Sequence, residues 1–214
     1  MRGVLETLLT LLILANFLMV GSSRLRFGIT VLAMQGLAVG LLPLLLPGHE
    51  MTLRTVALSG TSIALKAVVF PWLLIRAMRA AGVRLEAEPL VGYTPSLLLA
   101  VFALGMSIWL AGRLDPPVPP PHPLLLPTGL FTVLIGLFLI VCRKKALGQV
   151  MGYLALENGI FVFGITLARD EPFLVEMGVL LDVFMAVFVM GIIIFHISRA
   201  FDHIDVDQLS MLKD

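Results

Sequence analysis

Seven long apolar runs, separated by short polar or Pro-rich connections, make up most of the chain. They cover 3–21, 27–46, 55–78, 95–112, 124–142, 147–168 and 173–197. Each comes close to the ~20 residues that an α-helix needs to cross about 30 Å of hydrocarbon. A bilayer-spanning segment must satisfy its own backbone hydrogen bonds, so only helices or closed barrels qualify. Barrel strands would be shorter and would alternate apolar with polar residues, which these runs do not. The pattern predicts an all-α, polytopic transmembrane bundle of about seven helices. Two regions are expected: 1–123, an N-terminal bundle ending in the Pro-rich connection Pro116–Pro123, and 124–214, a three-helix region with a short tail. The first run is preceded by a basic residue, like a signal peptide. No small-residue cleavage site follows it, so it reads as a retained first helix.

The polar connections carry the next signal. Arg24 and Arg26, then Arg76, Arg79 and Arg84, then Arg143, Lys144 and Lys145, and finally Arg199 and Lys213 all fall on one side of the seven-span layout. Arg2, Arg54, Arg113 and Arg169 fall on the other. The positive-inside rule then predicts an outside N-terminus and a cytoplasmic C-terminus, in the cell's inner (cytoplasmic) membrane. The acidic Asp170-Glu171 turn and the Pro-rich connection would face outward, the latter as a stiff connector.

Composition agrees with a lipid environment. Hydrophobic residues are 59% of the 214, charged residues 14%, and mean hydropathy is +1.03. Soluble domains carry about 25% charged residues. A net charge of +1 argues against nucleic acid as a partner. The single cysteine, Cys142, excludes an intrachain disulfide or a multi-cysteine metal site and is expected to pack at a span end. No Gly-rich phosphate loop and no iron–sulfur or zinc pattern is present, so no cofactor is expected in this chain.

The informative residues are the ionisable ones inside the runs: Lys66, Glu157, Glu176 and Asp182. At mid-bilayer each costs at least ~2.5–3.5 kcal/mol unless paired or hydrated. At a 1.5 Å rise per residue, Glu157 lies about 15 Å and Asp182 about 14 Å from their nearer span ends, and Lys66 is close to the centre of its own span. Three helices thus bring ionisable groups to one plane, whereas Glu176 lies about one turn from the outer surface. Intramembrane charges of this kind suggest a proton relay. The alternative is an ion pair that fixes packing, with Lys66 bonded to either Asp182 or Glu157. Tyr153, four residues before Glu157, is expected on the same helix face. Asn158 is expected to point elsewhere. His196, about 40° in helical phase from Asp182, could hand protons to the inner surface or rest at the interface. Gln35 could bond a neighbouring helix or a water. Pro71, five residues after Lys66, should loosen its helix. Glu6 is expected to snorkel at its helix end.

The segment Gly152–Gly159 (Gly-Tyr-Leu-Ala-Leu-Glu-Asn-Gly) resembles the surroundings of the buried glutamate in the small K subunit of respiratory complex I and in the corresponding small component of multi-subunit sodium/proton antiporters. The tail from Ile204-Asp205-Val206-Asp207-Gln208-Leu209 to Lys213 resembles that family's closing segment. Over nearly its whole length the chain is similar to component E of hydrogenase-4, on Leu156–Gly159, on Glu176-Met-Gly178 through Asp182, and on Lys66 through Pro71-Trp72. The Lys66–Pro71 segment is also similar to the lysine-bearing helix of antiporter-like subunits. The second acidic position of the K-subunit family matches Asp182, one methylene shorter than the family glutamate, and Glu176 is the alternative.

The resemblance implies a non-catalytic membrane-arm subunit of a complex I-like assembly with a group 4 [NiFe] hydrogenase. Partners would be antiporter-like subunits, a quinone-pocket-like subunit and the hydrogenase peripheral arm. The NiFe centre and iron–sulfur clusters would sit in those partners. Glu157 and Asp182 would carry protons or sodium ions, with Lys66 as counter-charge or third station. The other readings are a part of a multicomponent cation/proton antiporter, a stand-alone carrier, and a scaffold without a transport path.

Overall fold

The computed structural model describes residues 2–46, 53–80, 90–114, 116, 119–167, 181 and 183–191. Its helices are α1 (Arg2–Gly21), α2 (Leu25–Leu45), α3 (Leu53–Ile63), a π-helical segment (Ala64–Val69), α4 (Phe70–Ala80), α5 (Tyr93–Ala111), α6 (Leu125–Cys142) and α7 (Ala146–Leu167). Residues 183–191 are helical too, and no strand occurs among the described residues. With α3, the π segment and α4 forming one rod, six helices among the described residues are long and apolar enough to cross a bilayer. Their ends fall within two residues of the expected spans. The seventh span, 173–197, is described only at 181 and 183–191.

Helix α2 is the hub, packing on α1, α3, the π segment, α4 and α7. Lipid gives no hydrophobic drive to helix association, so close backbone approach has to supply it. Glycines do this at two interfaces. On α2, a Cβ at Gly36 would lie 2.7 Å from the Lys66 Cβ, and one at Gly40 would strike the Ile63 side chain. On the α6–α7 hairpin, a Cβ at Gly136 would run into the Leu156 backbone, and one at Gly159 would come within 2.5 Å of the Val133 nitrogen. Gly129 meets Phe163 and Gly152 meets Ile140 in the same way. Each helix of the hairpin thus carries two glycines seven residues apart, the repeat that keeps one face toward an antiparallel neighbour.

Helix α5 shows the inverse arrangement of a water-soluble helix. Its buried residues are Ser96, Ala100, Ala103 and Ser107, all small. Its exposed residues include Leu98, Val101, Phe102 and Trp109. Small residues against the bundle and large apolar ones outward suit an apolar surrounding. Two tryptophans stack on arginines one turn further along, Arg113 at 5.2 Å from the Trp109 ring and Arg76 at 5.7 Å from Trp72. Such aromatic and basic pairs belong at the edges of the hydrocarbon.

The turns gather by charge. The Arg143 guanidinium donates to the carbonyls of Met19 and Ser22 at 3.1 Å each, tying the α6–α7 turn to the α1–α2 turn. The Leu90 N–H donates to the Cys142 carbonyl and brings the start of α5 to the same end. That end holds Arg24, Arg26, Lys144 and Lys145 beside Arg143. Cys142 is half-buried there, and Glu6 is exposed on α1.

The expected loosening at Pro71 takes the form of the π segment. The Phe70 N–H donates to Leu65, five residues back. Pro71 has no N–H, and its ring crowds the carbonyl of Ala67 in a regular α-helix, so a wider turn relieves both constraints.

The glycine contacts give a direct test. Gly136→Ala should lower the thermal unfolding midpoint of the detergent-solubilised protein, at about 1–3 kcal/mol of overpacking. Gly105→Ala, where a Cβ meets nothing within 4 Å, should leave it unchanged.

Candidate functional site

Lys66 sits in the π segment and Glu157 near the middle of α7. Their side chains meet at 3.0 Å, Nζ to Oε1, and are 5% and 4% exposed. Of the two partners that the sequence offers Lys66, Glu157 is in contact with it. Asp182 lies outside the described residues, as do Glu176 and His196. The position of Lys66 follows from its backbone. Gly36 lets α2 close onto the π segment at the lysine itself, so the side chain starts from the packed core and not from the lipid face. The ammonium also lies 5.7 Å from the centre of the Phe161 ring, a favourable cation–π distance.

Asn158 does not point elsewhere. Its Oδ1 accepts from Lys66 Nζ at 3.2 Å, so one ammonium bridges two consecutive residues of α7. Neighbours in a helix diverge by about 100°, but a small cation set between them reaches both. The contact has a chemical consequence. If Glu157 takes up a proton, Lys66 keeps an acceptor, and its charge is not stranded in a dry interior. The second carboxylate oxygen, Oε2, is buried and has no hydrogen-bond partner among the described residues. It is the oxygen on which a proton could be received without first breaking the bond to Lys66.

From Asn158 a line of polar side chains crosses the bundle. Asn158 Nδ2 donates to Gln35 Oε1 at 3.5 Å, and Gln35 Nε2 donates to Asn16 Oδ1 at 3.0 Å. Asn16 Nδ2 donates to Thr132 Oγ1 at 2.8 Å, and the Thr132 hydroxyl donates to the Thr128 carbonyl at 2.7 Å. The π segment, α7, α2, α1 and α6 are linked in turn. Gln35 therefore bonds a neighbouring helix, one of the two outcomes its sequence position allows. The parts played by Asn16, Thr132 and Asn158 are not apparent from sequence, where the ionisable groups stand out first. The available signal was polarity alone: Asn16 interrupts the run Leu11–Val20, and an amide in a lipid-spanning helix requires a partner.

Tyr153 is half-buried and lines an apolar cavity of about 310 Å³ with Val150, Phe184, Met185 and Phe188. It thus stands between α7 and the helical residues 183–191. Among the described residues no cluster of His, Cys, Asp and Glu could hold a metal ion.

A buried charge that loses its partner costs about 3–5 kcal/mol, whereas removing both partners can be nearly neutral. Lys66→Met should therefore destabilise the protein by that order. Adding Glu157→Gln to the same chain should recover most of the loss in a thermal unfolding series. Additive losses from the two substitutions would contradict the pairing.

Residues 124–214 match the family model of NADH-ubiquinone/plastoquinone oxidoreductase chain 4L. The uncharacterized protein Rv0085 of Mycobacterium tuberculosis is 36% identical over 210 residues, covering 95% of this chain and 93% of that protein. Hydrogenase-4 component E of Escherichia coli K12 is 28% identical over 155 residues, 72% of each chain. The same component of Shigella flexneri matches equally. No solved structure matches the chain. The matched stretch of the chain 4L model begins where the α6–α7 hairpin begins and contains Glu157, while the longer relatives extend over the helices that bring Lys66 to it. The chain belongs to one family of multi-pass membrane proteins with the uncharacterized Rv0085 of Mycobacterium tuberculosis, is similar to hydrogenase-4 component E over 72% of its length, and carries a C-terminal region similar to chain 4L.

Proposed function

We propose that this chain is a membrane-arm subunit of a complex I-like [NiFe] hydrogenase assembly and that Glu157 is its proton-binding group. The relatives' names, one a hydrogenase component and the other an oxidoreductase chain, support membership of a complex I-like enzyme. The single observation that carries the mechanism is the buried Lys66–Glu157 pair, whose Oε2 has no hydrogen-bond partner among the described residues. A charge pair this deep in apolar surroundings is costly to maintain for packing alone.

In this reading the chain holds no redox centre. Electrons move through the NiFe centre and iron–sulfur clusters of partner subunits. Antiporter-like subunits, a quinone-pocket-like subunit and the hydrogenase arm surround or adjoin the bundle in the inner membrane. The N-terminus is outside and the C-terminus cytoplasmic. Glu157 binds a proton on Oε2, Lys66 stays charged on Asn158, and the pair re-forms when the proton leaves. Asp182 is the second carboxylate, with Glu176 as the alternative, and Tyr153 and His196 lie along the path. Coupling arises when a change in a partner alters the affinity of Glu157 for its proton.

Glu157→Gln and Asp182→Asn complexes should copurify with hydrogenase-like and antiporter-like subunits. Their electron-driven proton uptake into inside-out vesicles should fall by about tenfold or more. Normal uptake by an assembled double variant would refute the relay. Failure to assemble, with no separate transport defect in the residual complex, would identify a scaffold.

A second expectation follows from Gly36. Gly36→Ala places a methyl group against the Lys66 backbone and should reduce uptake while Gly60→Ala, where a Cβ meets nothing, should not.

A further inference from the structure

The line Thr132–Asn16–Gln35–Asn158 has a direction, and its direction is fixed at both ends. A threonine hydroxyl has one proton. That of Thr132 is committed to the Thr128 carbonyl, which can only accept. The Thr132 oxygen must therefore accept from Asn16, and Asn16 must present its amide nitrogen. Its oxygen is then turned to Gln35, which must present nitrogen in turn and so leaves its own oxygen for Asn158. Asn158 donates there and faces Lys66 with its carbonyl oxygen. From the other end, an ammonium is donor-only, so it demands that same oxygen. A flip of any one amide would set donor against donor or acceptor against acceptor. The two ends impose a single orientation on three amides that rotate freely in isolation.

We infer that these four residues are positioning groups that hold the Lys66–Glu157 pair in its charged form. This deepens the reading of Glu157 as a proton-binding site and rests on it. Every amide in the line turns its negative end toward Lys66 and its positive end away. In a water-poor interior such aligned dipoles act strongly. They favour the ammonium over the neutral amine and thereby keep Glu157 a carboxylate. Without them the pair can collapse internally. An N–H bond of Lys66 breaks, an O–H bond forms on Glu157, and a neutral amine hydrogen-bonded to a carboxylic acid remains. No proton enters or leaves in that step, and neutralisation removes the desolvation cost of both charges. Among the described residues the one further buried charge is Arg143, whose guanidinium is spent on the Met19 and Ser22 carbonyls at the basic end.

Thr128 supplies an internal control. Its own hydroxyl is buried one turn from Thr132 and has no hydrogen-bond partner among the described residues. Its carbonyl, which anchors the line, survives any side-chain substitution.

The test is infrared difference spectroscopy of the assembled complex in membranes, read as the carboxylic-acid C=O band that disappears in Glu157→Gln. Thr132→Val should raise this band several-fold at neutral pH. Gln35→Met, which cuts the line at its middle with little change in volume, should do the same and decides the matter if Thr132→Val does not fold. Thr132→Ser and Thr128→Val should match the wild type. A wild-type band in folded Thr132→Val and Gln35→Met would overturn the inference, as would an equal rise in Thr128→Val. Proton uptake is not the readout, so either result stands apart from the Glu157→Gln transport test.

Discussion

A lysine and a glutamate in one lipid-embedded bundle must find each other, and the rest of this structure is arranged so that they do. Neither group could remain ionised alone in an apolar interior. Their contact at 3.0 Å joins the second half of the chain to the first, α7 to the π segment. The residue spacing between them is large, so the pairing depends on how the helices are packed and not on local sequence.

Three packing devices make the contact possible. Gly36 and Gly40 remove the side chains that would hold α2 away from the π segment. The paired glycines of α6 and α7 press the hairpin together and so fix which face of α7 looks inward. The wide turn before Pro71 re-phases the third rod, because a π-helical stretch inserts residues relative to a regular helix. That turn is where the lysine sits. Irregular backbone of this type is tolerated at membrane depth where it is buried in protein. The amide line then adds a fourth element, linking polar side chains of α1 and α6 to the site.

Much of the frame was readable from hydropathy. Continuous apolar runs have few ways to be wrong, and the six described spans end within two residues of expectation. The ionisable members of the site were readable too, because Lys66 and Glu157 are conspicuous in lipid and their depths match. Pro71 announced a disturbed helix through its missing N–H. The neutral members were not readable. Asn16, Thr132 and Asn158 are common residue types whose importance appears only once five helices converge. Helical phase is a poor guide to Asn158, since it tells where a residue points and not how far a neighbouring cation can reach. That Lys66 reaches Glu157 depends on which helices are neighbours, which periodicity within single helices does not encode.

Under the proposed reading, the described part of the site is a protonation equilibrium at Glu157 set in a frame of polar side chains. Oε2 of Glu157 is where that equilibrium would be played out, and Asn158 is what lets Lys66 tolerate it. The most direct measurement is solid-state NMR of the membrane-embedded complex with Lys66 labelled at Nζ and Glu157 at Cδ. Magnetisation transfer between the two nuclei, together with an ammonium shift for Lys66, is the expected result. Absence of transfer, or a neutral-amine shift in the resting protein, would contradict a charged Lys66–Glu157 pair.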